Sequence, residues 1–404
     1  MSGGPLRIAV VTESYDPAGG GSERSTQQIV NGLATRGHAV TVVAGACRPA
    51  VAEAMRDAGI KVVAMGDRRL KTAARLRAFA TMAAATLDGG GFDTSLSVTP
   101  AAPAAVVQPR GGTVVETQRQ NIARRPTAPG RVGKRLALWC SAKQRALVQL
   151  ERRTYADPRV RQVVAISGYV VQQLAEHYGY PAQRTVVIPN AALSPAAACA
   201  GAPGGWDALR RDERARLKLE TNDVAFLFAA LNPGLKGWPT LRAALDRVAA
   251  LGRGGHRPVA LLAGAFGQRD RQALEAAGLA AVTRVLGRRD DLASAYAAAD
   301  AVVLPTWYDP CSKVVLEGLM AGRPAITTRF NGAAEWLTPP EGPPRGIVLD
   351  DPGNAEALAD ALVALTDVAT RAGMAGACGG LEDALGMDRH VTALEAVLRE
   401  AAGS

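Results

Sequence analysis

Short runs of apolar, β-branched residues alternate with amphipathic, alanine-rich stretches along nearly the whole chain. The predicted strands are LRIAVVT, AVTVVAG, IKVVAM, TSLSV, AAVVQ, QVVAIS and TVVIP in the first half, and VAFLFAA, PVALLAG, VTRVLG, AVVLPT, PAITT and GIVLD in the second. The predicted helices include Ser22–Arg36, Lys71–Leu87, Gly133–Thr154, Gly168–Tyr178, Gly237–Leu251 and Ser312–Ala321. Continuously apolar strands with helices between them predict an α/β fold, in which parallel sheets are covered on both faces.

The pattern occurs twice, on either side of a segment rich in Pro, Ala and Gly, SPAAACAGAPGG. A chain of 404 residues is also too long for one ordinary core. We therefore predict an N-terminal Rossmann-like domain over 1–193, a linker over 194–205, a C-terminal Rossmann-like domain over 206–380 and a C-terminal helix over 381–404. Packing of that helix back onto the N-terminal domain is one arrangement open to it. Two such doubly wound domains are expected to face a central cleft.

The amino-acid composition narrows the class of protein. The chain has 48% hydrophobic and 21% charged residues, as a globular protein does, and no apolar run is long enough to span a membrane. The N-terminus lacks the regions of a signal peptide, so we expect a cytoplasmic protein. Five scattered cysteines, four histidines and the lack of an Asp-x-Asp pair give no pattern for a metal site, so a metal-independent chemistry without a bound cofactor is expected.

The positive charge is concentrated in one segment. Thirteen Lys and Arg residues against three acids lie between Arg110 and Arg161, a surplus equal to the net charge of +10 for the whole chain. Such a block suits an anionic partner, which leaves nucleic acid, a phosphorylated glycan and an acidic membrane surface open. Only Trp139 and Tyr155 are aromatic there, so nucleic acid, which is held by base stacking, is disfavoured.

Two loops are candidates for phosphate binding. Gly19, Gly20 and Gly21 follow the first strand and precede Ser22, the predicted N-cap; glycines there let backbone N–H groups approach an anion. The loop is not GxGxxG, which disfavours a dinucleotide enzyme such as an NAD-dependent dehydrogenase, and a plain flexible turn is the alternative. In the second half Lys236 follows a strand, in a chain with only seven lysines and forty arginines. A scarce lysine fits a site that needs a compact point charge, whereas a solvated loop is the alternative.

The stretch WYDPCSKVVLEGLMAGRP, which follows the strand AVVLPT, carries more charge than a strand-to-helix connection needs. We predict Ser312 as the N-cap of a helix of about ten residues that ends near Gly322. In a binding site, N–H groups around Ser312–Val314 and the charge of Lys313 would hold a diphosphate. Glu317 would accept from ribose hydroxyls, and Asp309 from those of a sugar. Without a ligand, Asp309 would be a turn residue and Glu317 would pair with Lys313 along the helix.

Three blocks of the sequence resemble the retaining glycosyltransferases of family 4, which have the GT-B fold. They are GGGSER with LATRGHAVTVVAG, VVAISGYVVQQLAEHYGYPAQRTVVIPNA, and LGRRDDLASAYAAADAVVLPTWYDPCSKVVLEGLMAGRPAITTRFNGAAEWL. The Glu-x7-Glu motif of that family corresponds to Asp309 and Glu317, with Asp in place of the first Glu. The run QPRGGTVVETQRQN and the basic stretch after it are similar, more loosely, to lipopolysaccharide core glucosyltransferases.

The resemblance implies a role for each matching residue. Asp309 and Lys236 would be catalytic, and donor binding would fall to Gly20, Gly21, Lys236, Arg288, Asp309, Ser312, Lys313, Val314 and Glu317, with the base near Gly287–Asp290. Acceptor binding would fall to Arg110, Glu116 and Arg119. Two positions depart from the family: Leu231 stands where an arginine usually accompanies the lysine, and the N-domain stretch VVQPRGG has no histidine.

The function implied is transfer of a hexose, with retention, from a nucleoside-diphosphate sugar to an anionic glycan or lipid-linked acceptor in cell-surface polysaccharide or lipopolysaccharide biosynthesis. Contact with the cytoplasmic face of the inner membrane is compatible with it, and nucleic acid is not an expected partner. A nucleotide-sugar epimerase and a non-catalytic nucleotide- or glycan-binding relative are the alternatives.

Overall fold

The computed structural model describes residues 4–16, 20–66, 68–197, 204–250, 255–289 and 291–403. The chain divides into two units, Met1–Ala191 with Met387–Ser404 (unit 1) and Ala192–Gly386 (unit 2). Gly19, Asp290 and residues 198–203 of the predicted linker lie outside the described residues.

Every predicted apolar run forms a strand. Unit 1 contains β1 (Arg7–Thr12), β2 (Ala39–Ala44), β3 (Lys61–Ala64), β4 (Thr94–Ser97), β5 (Val106–Val107), β6 (Gln162–Ala165) and β7 (Thr185–Val187). Unit 2 contains β8 (Asp223–Ala230), β9 (Arg257–Gly264), β10 (Thr283–Gly287), β11 (Ala301–Leu304), β12 (Ala325–Thr328) and β13 (Gly346–Leu349). The orders are β3-β2-β1-β4-β5-β6-β7 and β10-β9-β8-β11-β12-β13, with parallel pairing throughout. Both sheets are therefore doubly wound, and the fold class predicted from the sequence is confirmed within each unit.

The helices lie between the strands. In unit 1 they are α1 (Gly21–Thr35), α2 (Pro49–Asp57), α3 (Ala73–Gly89), α4 (Val114–Ala123), α5 (Ala128–Cys140), α6 (Ala142–Ala156) and α7 (Gly168–Tyr178). In unit 2 they are α8 (Gly205–Arg216), α9 (Trp238–Ala250), α10 (Gln268–Ala276), α11 (Ala293–Ala298), α12 (Lys313–Met320), α13 (Ala355–Ala364), α14 (Val368–Gly376) and α15 (Glu382–Leu385); α16 (Met387–Gly403) belongs to unit 1. Within the described ranges every helix is too short or too polar to cross a lipid bilayer.

Two helix predictions were wrong in detail. The single helix predicted over Gly133–Thr154 is two helices, α5 and α6, separated by Ser141, whose backbone is extended and whose hydroxyl accepts from the N–H of Gln144. Ser22 is not the N-cap of α1. The helix begins one residue earlier, and its N-cap, Gly20, donates its N–H to the carboxylate of Glu23 at 3.0 Å.

The core of unit 1 includes side chains from both ends of the chain. Ile8 and Val10 of β1 and Leu96 of β4 belong to one apolar cluster with Leu394 and Leu398 of α16. All five are fully buried. The last helix is therefore part of the hydrophobic core of unit 1.

Candidate functional site

The order of the unit 2 sheet brings two distant loops together. Strands β8 and β11 are neighbours, and the chain leaves them in opposite directions across the sheet, so residues 231–237 and 305–312 meet at its carboxyl edge. The N–H of Trp307 donates to the carbonyl of Leu235 at 2.9 Å, which joins the loops directly. This is the switch point at which doubly wound sheets bind ligands.

Lys236 and Asp309, the two predicted catalytic residues, are in contact at this point. The ammonium of Lys236 lies 2.6 Å from the Oδ2 of Asp309 and donates to the carbonyl of Tyr308 at 3.1 Å. The two side chains are 22% and 13% exposed, so a charged donor is fixed while solvent still reaches it. The next residue, Gly237, has a φ of +86°, and a Cβ there would lie 1.9 Å from the carbonyl oxygen of Pro305. Only glycine allows this approach of the two loops.

The carboxylate of Asp309 also organises its own loop. Its Oδ1 accepts from the N–H of Cys311 at 3.2 Å, and its backbone forms an isolated bridge with Asn331. The structure thus shows Asp309 holding Lys236 and a turn. Its contact with a transferred sugar stays a prediction.

Asn331, which the sequence analysis did not single out, fixes the start of α12. Its Oδ1 accepts from the N–H groups of Ser312 and Ala333, and its Nδ2 donates to the hydroxyl of Thr327. Ser312 occupies the N-cap position as predicted, but its buried side chain makes no capping bond. The N–H of Ser312 is bonded to Asn331, and the next N–H groups at this helix terminus, where an anion is favoured, are those of Lys313 and Val314. Asn331 follows a strand at the same sheet edge, and that position was the signal available in the sequence.

Glu317 lies in the second turn of α12, and a buried tyrosine donates a hydrogen bond to its carboxylate. The hydroxyl of Tyr296 donates to Oε2 of Glu317 at 2.9 Å and lies 3.2 Å from the carbonyl oxygen of Val314. Burial, together with the neighbouring carboxylate, raises the pKa of Tyr296 well above its ordinary value, so this phenol is a permanent donor. Glu317 is half-buried, and the hydrogen bond fixes one of its oxygens. Tyr296 lies in the alanine-rich helix α11, and no pattern in the sequence indicated a role for it.

The remaining predicted donor residues of unit 2 lie at the same edge of the sheet. Arg288 is exposed and follows Gly287, the last residue of β10. Leu231, the position at which the family usually has an arginine, directly follows β8 with its side chain 64% exposed.

In unit 1 a pocket opens at the matching position, where β1 and β4 are neighbours. Its lining includes Glu13, Glu23, Thr99, Gly111 and Gly112. Thr99 donates its hydroxyl to the carboxylate of Glu13 at 2.7 Å. Gly20 and Gly21 lie at the start of α1, beside Ser22 and Glu23 of this pocket, and a Cβ on Gly20 would meet no atom within 4 Å.

Two of the three predicted acceptor residues are in contact: the guanidinium of Arg119 lies 3.6 Å from the carboxylate of Glu116. Arg110 is buried, and its guanidinium donates to the side-chain oxygens of Gln108 and Asn190, each at 3.0 Å. Gln108 in turn lies 3.3 Å from Nε2 of His390 in α16. Arg119 is exposed and forms an ion pair with Glu176 at 2.6 Å.

Glu116 is buried within a polar network of unit 1. Its carboxylate accepts from Gln120 at 2.7 Å and Tyr169 at 2.9 Å, and lies 2.8 Å from Nε2 of His177. Burial acts to raise the pKa of Glu116, but these hydrogen bonds outweigh it and hold the pKa below its ordinary value. The contacts of Glu116 tie α4 to α7, and those of Arg110 join the segments that follow β5 and β7. The roles of both residues toward an acceptor stay predictions.

Sequence profiles of two glycosyltransferase domains match the chain. The profile of Glycosyltransferase Family 4 matches residues 19–192, and that of Glycosyl transferases group 1 matches residues 222–367. Together they cover well over half of the chain, and the second contains Lys236, Asp309 and Glu317. The chain belongs to the group 1, family 4 glycosyltransferases. No curated protein sequence matches it.

Solved structures with the same fold include other glycosyltransferases. WaaG, a glycosyltransferase involved in lipopolysaccharide biosynthesis, superimposes with a TM-score of 0.73 at 19% identity, over 97% of this chain and 99% of that one. Sucrose-phosphate synthase from Thermosynechococcus elongatus gives 0.71 at 18% identity, over 99% and 100%. HepE from Anabaena, in complex with UDP-glucose, gives 0.66 at 19% identity, over 98% and 100%. At these identities the likeness shows the GT-B fold, which the resemblance of the sequence implied.

Proposed function

We propose that this family 4 glycosyltransferase moves a hexose from a nucleoside-diphosphate sugar to a glycan or lipid-linked acceptor, and that it keeps the anomeric configuration. The observation that carries the proposal is the fixed ammonium of Lys236 at the switch point of unit 2, with the start of α12 and Glu317 following Asp309 along the chain. A diphosphate needs positive charge and N–H donors together, and this edge of the sheet supplies both.

Different residues of unit 2 would bind different parts of the nucleotide-sugar donor. Lys236 and the N–H groups of Lys313 and Val314 would hold the diphosphate, with the side chain of Lys313 as the second cation in place of the missing arginine. Glu317, oriented by Tyr296, would accept from ribose hydroxyls, and Arg288 would lie near the base. HepE holds UDP-glucose in its structure, which makes a UDP-sugar the first donor to test.

The transfer step needs a leaving group that is stabilised as its charge develops. The bond between the anomeric carbon and the phosphate oxygen breaks, and its electron pair stays on the diphosphate. The acceptor oxygen bonds to the anomeric carbon from the same face, and its proton passes to a phosphate oxygen. Lys236 would stabilise the negative charge that develops on the departing diphosphate. Its ammonium is already held in position before the reaction begins. The step needs no metal ion and no bound cofactor.

The acceptor and its cellular setting are part of the proposal. WaaG is involved in lipopolysaccharide biosynthesis, and the basic segment of unit 1 would suit a phosphorylated glycan or lipid-linked acceptor. We place the reaction in cell-surface polysaccharide or lipopolysaccharide biosynthesis, at the cytoplasmic face of the inner membrane. The pocket between β1 and β4 is the proposed acceptor site.

The test is turnover of candidate donors by the purified protein. UDP-glucose, UDP-galactose, GDP-mannose and ADP-glucose are incubated with it, and released nucleoside diphosphate is measured by chromatography. Release from one donor is expected, with loss of at least a hundredfold in Glu317→Ala and in Lys236→Ala. Glu275→Ala, which removes an exposed carboxylate on α10 of the same unit, is the matched control.

The outcomes separate the alternatives. An isomerised nucleotide sugar without released diphosphate would make the protein an epimerase, and binding without any turnover would make it a non-catalytic relative. Full activity in Glu317→Ala would overturn the assignment of the donor site. Where a glycoside product forms, its anomeric proton coupling measured by NMR decides retention.

A further inference from the structure

Helix α5 (Ala128–Cys140) presents its apolar side to solvent. Val132, Leu136 and Trp139 are 56%, 56% and 70% exposed. Their spacing of four and three residues places all three on one face of the helix. The half-buried residues, Gly130, Lys134 and Leu138, lie on the opposite face. A helix that packs onto a protein core normally turns its apolar face inward, so this helix is amphipathic in the reverse sense.

The helix is a well-formed element. The hydroxyl of Thr127 accepts from the N–H of Gly130 at 3.2 Å, and Pro129 occupies the first turn, where proline is favoured. The helix packs against α4 and α6. The exposed apolar face therefore belongs to a helix that its neighbours hold in place.

The surroundings of this face are strongly basic. Between Glu116 and Glu151 the sequence has no acidic residue, and it has eight basic ones: Arg119, Arg124, Arg125, Arg131, Lys134, Arg135, Lys143 and Arg145. A groove between α4, α5 and α6 joins the apolar face. Its lining includes Ile122, Leu138 and Val148 together with Arg135, Arg145 and Arg152.

We propose that α5 is a membrane-docking helix that lies in the interface of an anionic bilayer, with Val132, Leu136 and Trp139 inserted among the acyl chains. The neighbouring Lys and Arg side chains would bind headgroup phosphates. Tryptophan on the apolar side of a basic amphipathic helix is typical of this arrangement. The proposal does not depend on the proposed transfer reaction.

Two other occupants fit the observations less well. A second copy of the chain related by two-fold symmetry would bring the same positive charges face to face, which opposes association. Nucleic acid would suit the arginines, but three exposed apolar side chains without stacking neighbours would gain little from it.

The experiment is co-sedimentation of the full chain with vesicles of phosphatidylcholine alone, or with phosphatidylglycerol as a third of the lipid. We expect binding to the anionic vesicles only, weakened by high salt. The double variant Leu136→Ser/Trp139→Ser should reduce the partition coefficient at least tenfold, and Arg131→Ser/Arg135→Ser by about fivefold for each charge removed. The matched control is Val368→Ser, which removes an apolar side chain 51% exposed on α14 of unit 2.

Because the altered side chains are exposed, the variants should fold, and an unchanged melting temperature checks this. The emission spectrum of the wild type minus that of Trp139→Phe gives the fluorescence of Trp139 alone. Its maximum should shift to shorter wavelength with anionic vesicles, which reports insertion of this one indole. Failure to bind anionic vesicles, equal binding by Leu136→Ser/Trp139→Ser, or a lipid-free dimer that this variant abolishes would each overturn the proposal. None of these results involves the donor, so the failure of this proposal is distinguishable from the failure of the transferase assignment.

Discussion

Replacing Lys236 by methionine tests the centre of the donor site, because it removes the charge and keeps most of the side-chain volume. The ammonium donates to Asp309 and to the carbonyl of Tyr308. A hydrogen bond to a charged partner contributes about 1.5–3 kcal/mol when it is shielded from solvent. Since the two side chains of the pair are 22% and 13% exposed, we expect the free energy of unfolding to fall by about 2 kcal/mol. For a unit of the size of unit 2 (Ala192–Gly386) the melting temperature should fall by about 4–8 °C.

The same change should weaken binding of UDP. A tenfold loss of affinity corresponds to about 1.4 kcal/mol. At a UDP concentration of about a hundred times the wild-type Kd, the ligand stabilises the wild type by about 2.7 kcal/mol and a variant with tenfold weaker binding by about 1.4 kcal/mol. The thermal shift caused by UDP should therefore be roughly halved in Lys236→Met.

The assay is a thermal-shift titration with UDP, with GDP and ADP in parallel in case the base differs. Lys218→Met is the control, because it removes an exposed ammonium from the same unit. If Lys236→Met has the same melting temperature as the wild type, the strength assigned to the ion pair is refuted. A UDP shift equal to that of the wild type would refute the role of Lys236 at the diphosphate.

Three further changes test the surroundings of the site and unit 1. Tyr296→Phe should weaken donor binding about tenfold, measured by calorimetry, because Glu317 loses a buried donor; an unchanged Kd would show that this hydrogen bond does not orient it. Gly237→Ala should lower the free energy of unfolding by about 3 kcal/mol or more in urea melts, whereas Gly278→Ala, also at positive φ but in open space, should cost only about 1–2 kcal/mol; equal costs would refute the close approach of the loops. Burial raises the pKa of Glu151 from 4.5 to about 7, so the native state holds a proton there that the unfolded state releases. Its contribution to stability is present below pH 4.5 and lost as the pH rises through 7, and the wild type should lose about 2.5 kcal/mol relative to Glu151→Gln between pH 5 and 8; a constant difference would contradict the raised pKa.

The strands could be predicted from the sequence because a parallel strand covered on both faces must be apolar at every position. VAFLFAA and AVVLPT satisfy that condition and form β8 and β11. The break at Ser141 could not be predicted in the same way. Serine is tolerated inside a helix and is also favoured at an N-cap, so Ser141 alone did not indicate a break. The apolar positions of α5 face solvent, so their spacing did not mark where a core-facing helix begins or ends.

The candidate site was predictable in part for the same reason. Lys236 and Asp309 each follow an apolar strand, which places them at the carboxyl edge, but only the adjacency of β8 and β11 brings them to 2.6 Å. Strand order is not encoded in any local pattern. Tyr296 and Asn331 act through hydrogen bonds that reach groups 21 and 19 residues away, and such pairs cannot be recognised without the packed structure.

The placement of α16 in unit 1 has a consequence for synthesis. Leu394 and Leu398 complete a core that begins with Ile8, yet the ribosome makes them only after all of unit 2. At about 5–20 residues per second, the roughly 200 residues in between delay that completion by about 10–40 s. During this time the nascent first unit exposes the apolar surface that α16 will cover, and unit 2 is complete before α16 is made. The unit whose synthesis begins first is therefore completed last, and the apolar surface that it exposes in the meantime is of the kind that makes incomplete folds prone to aggregate.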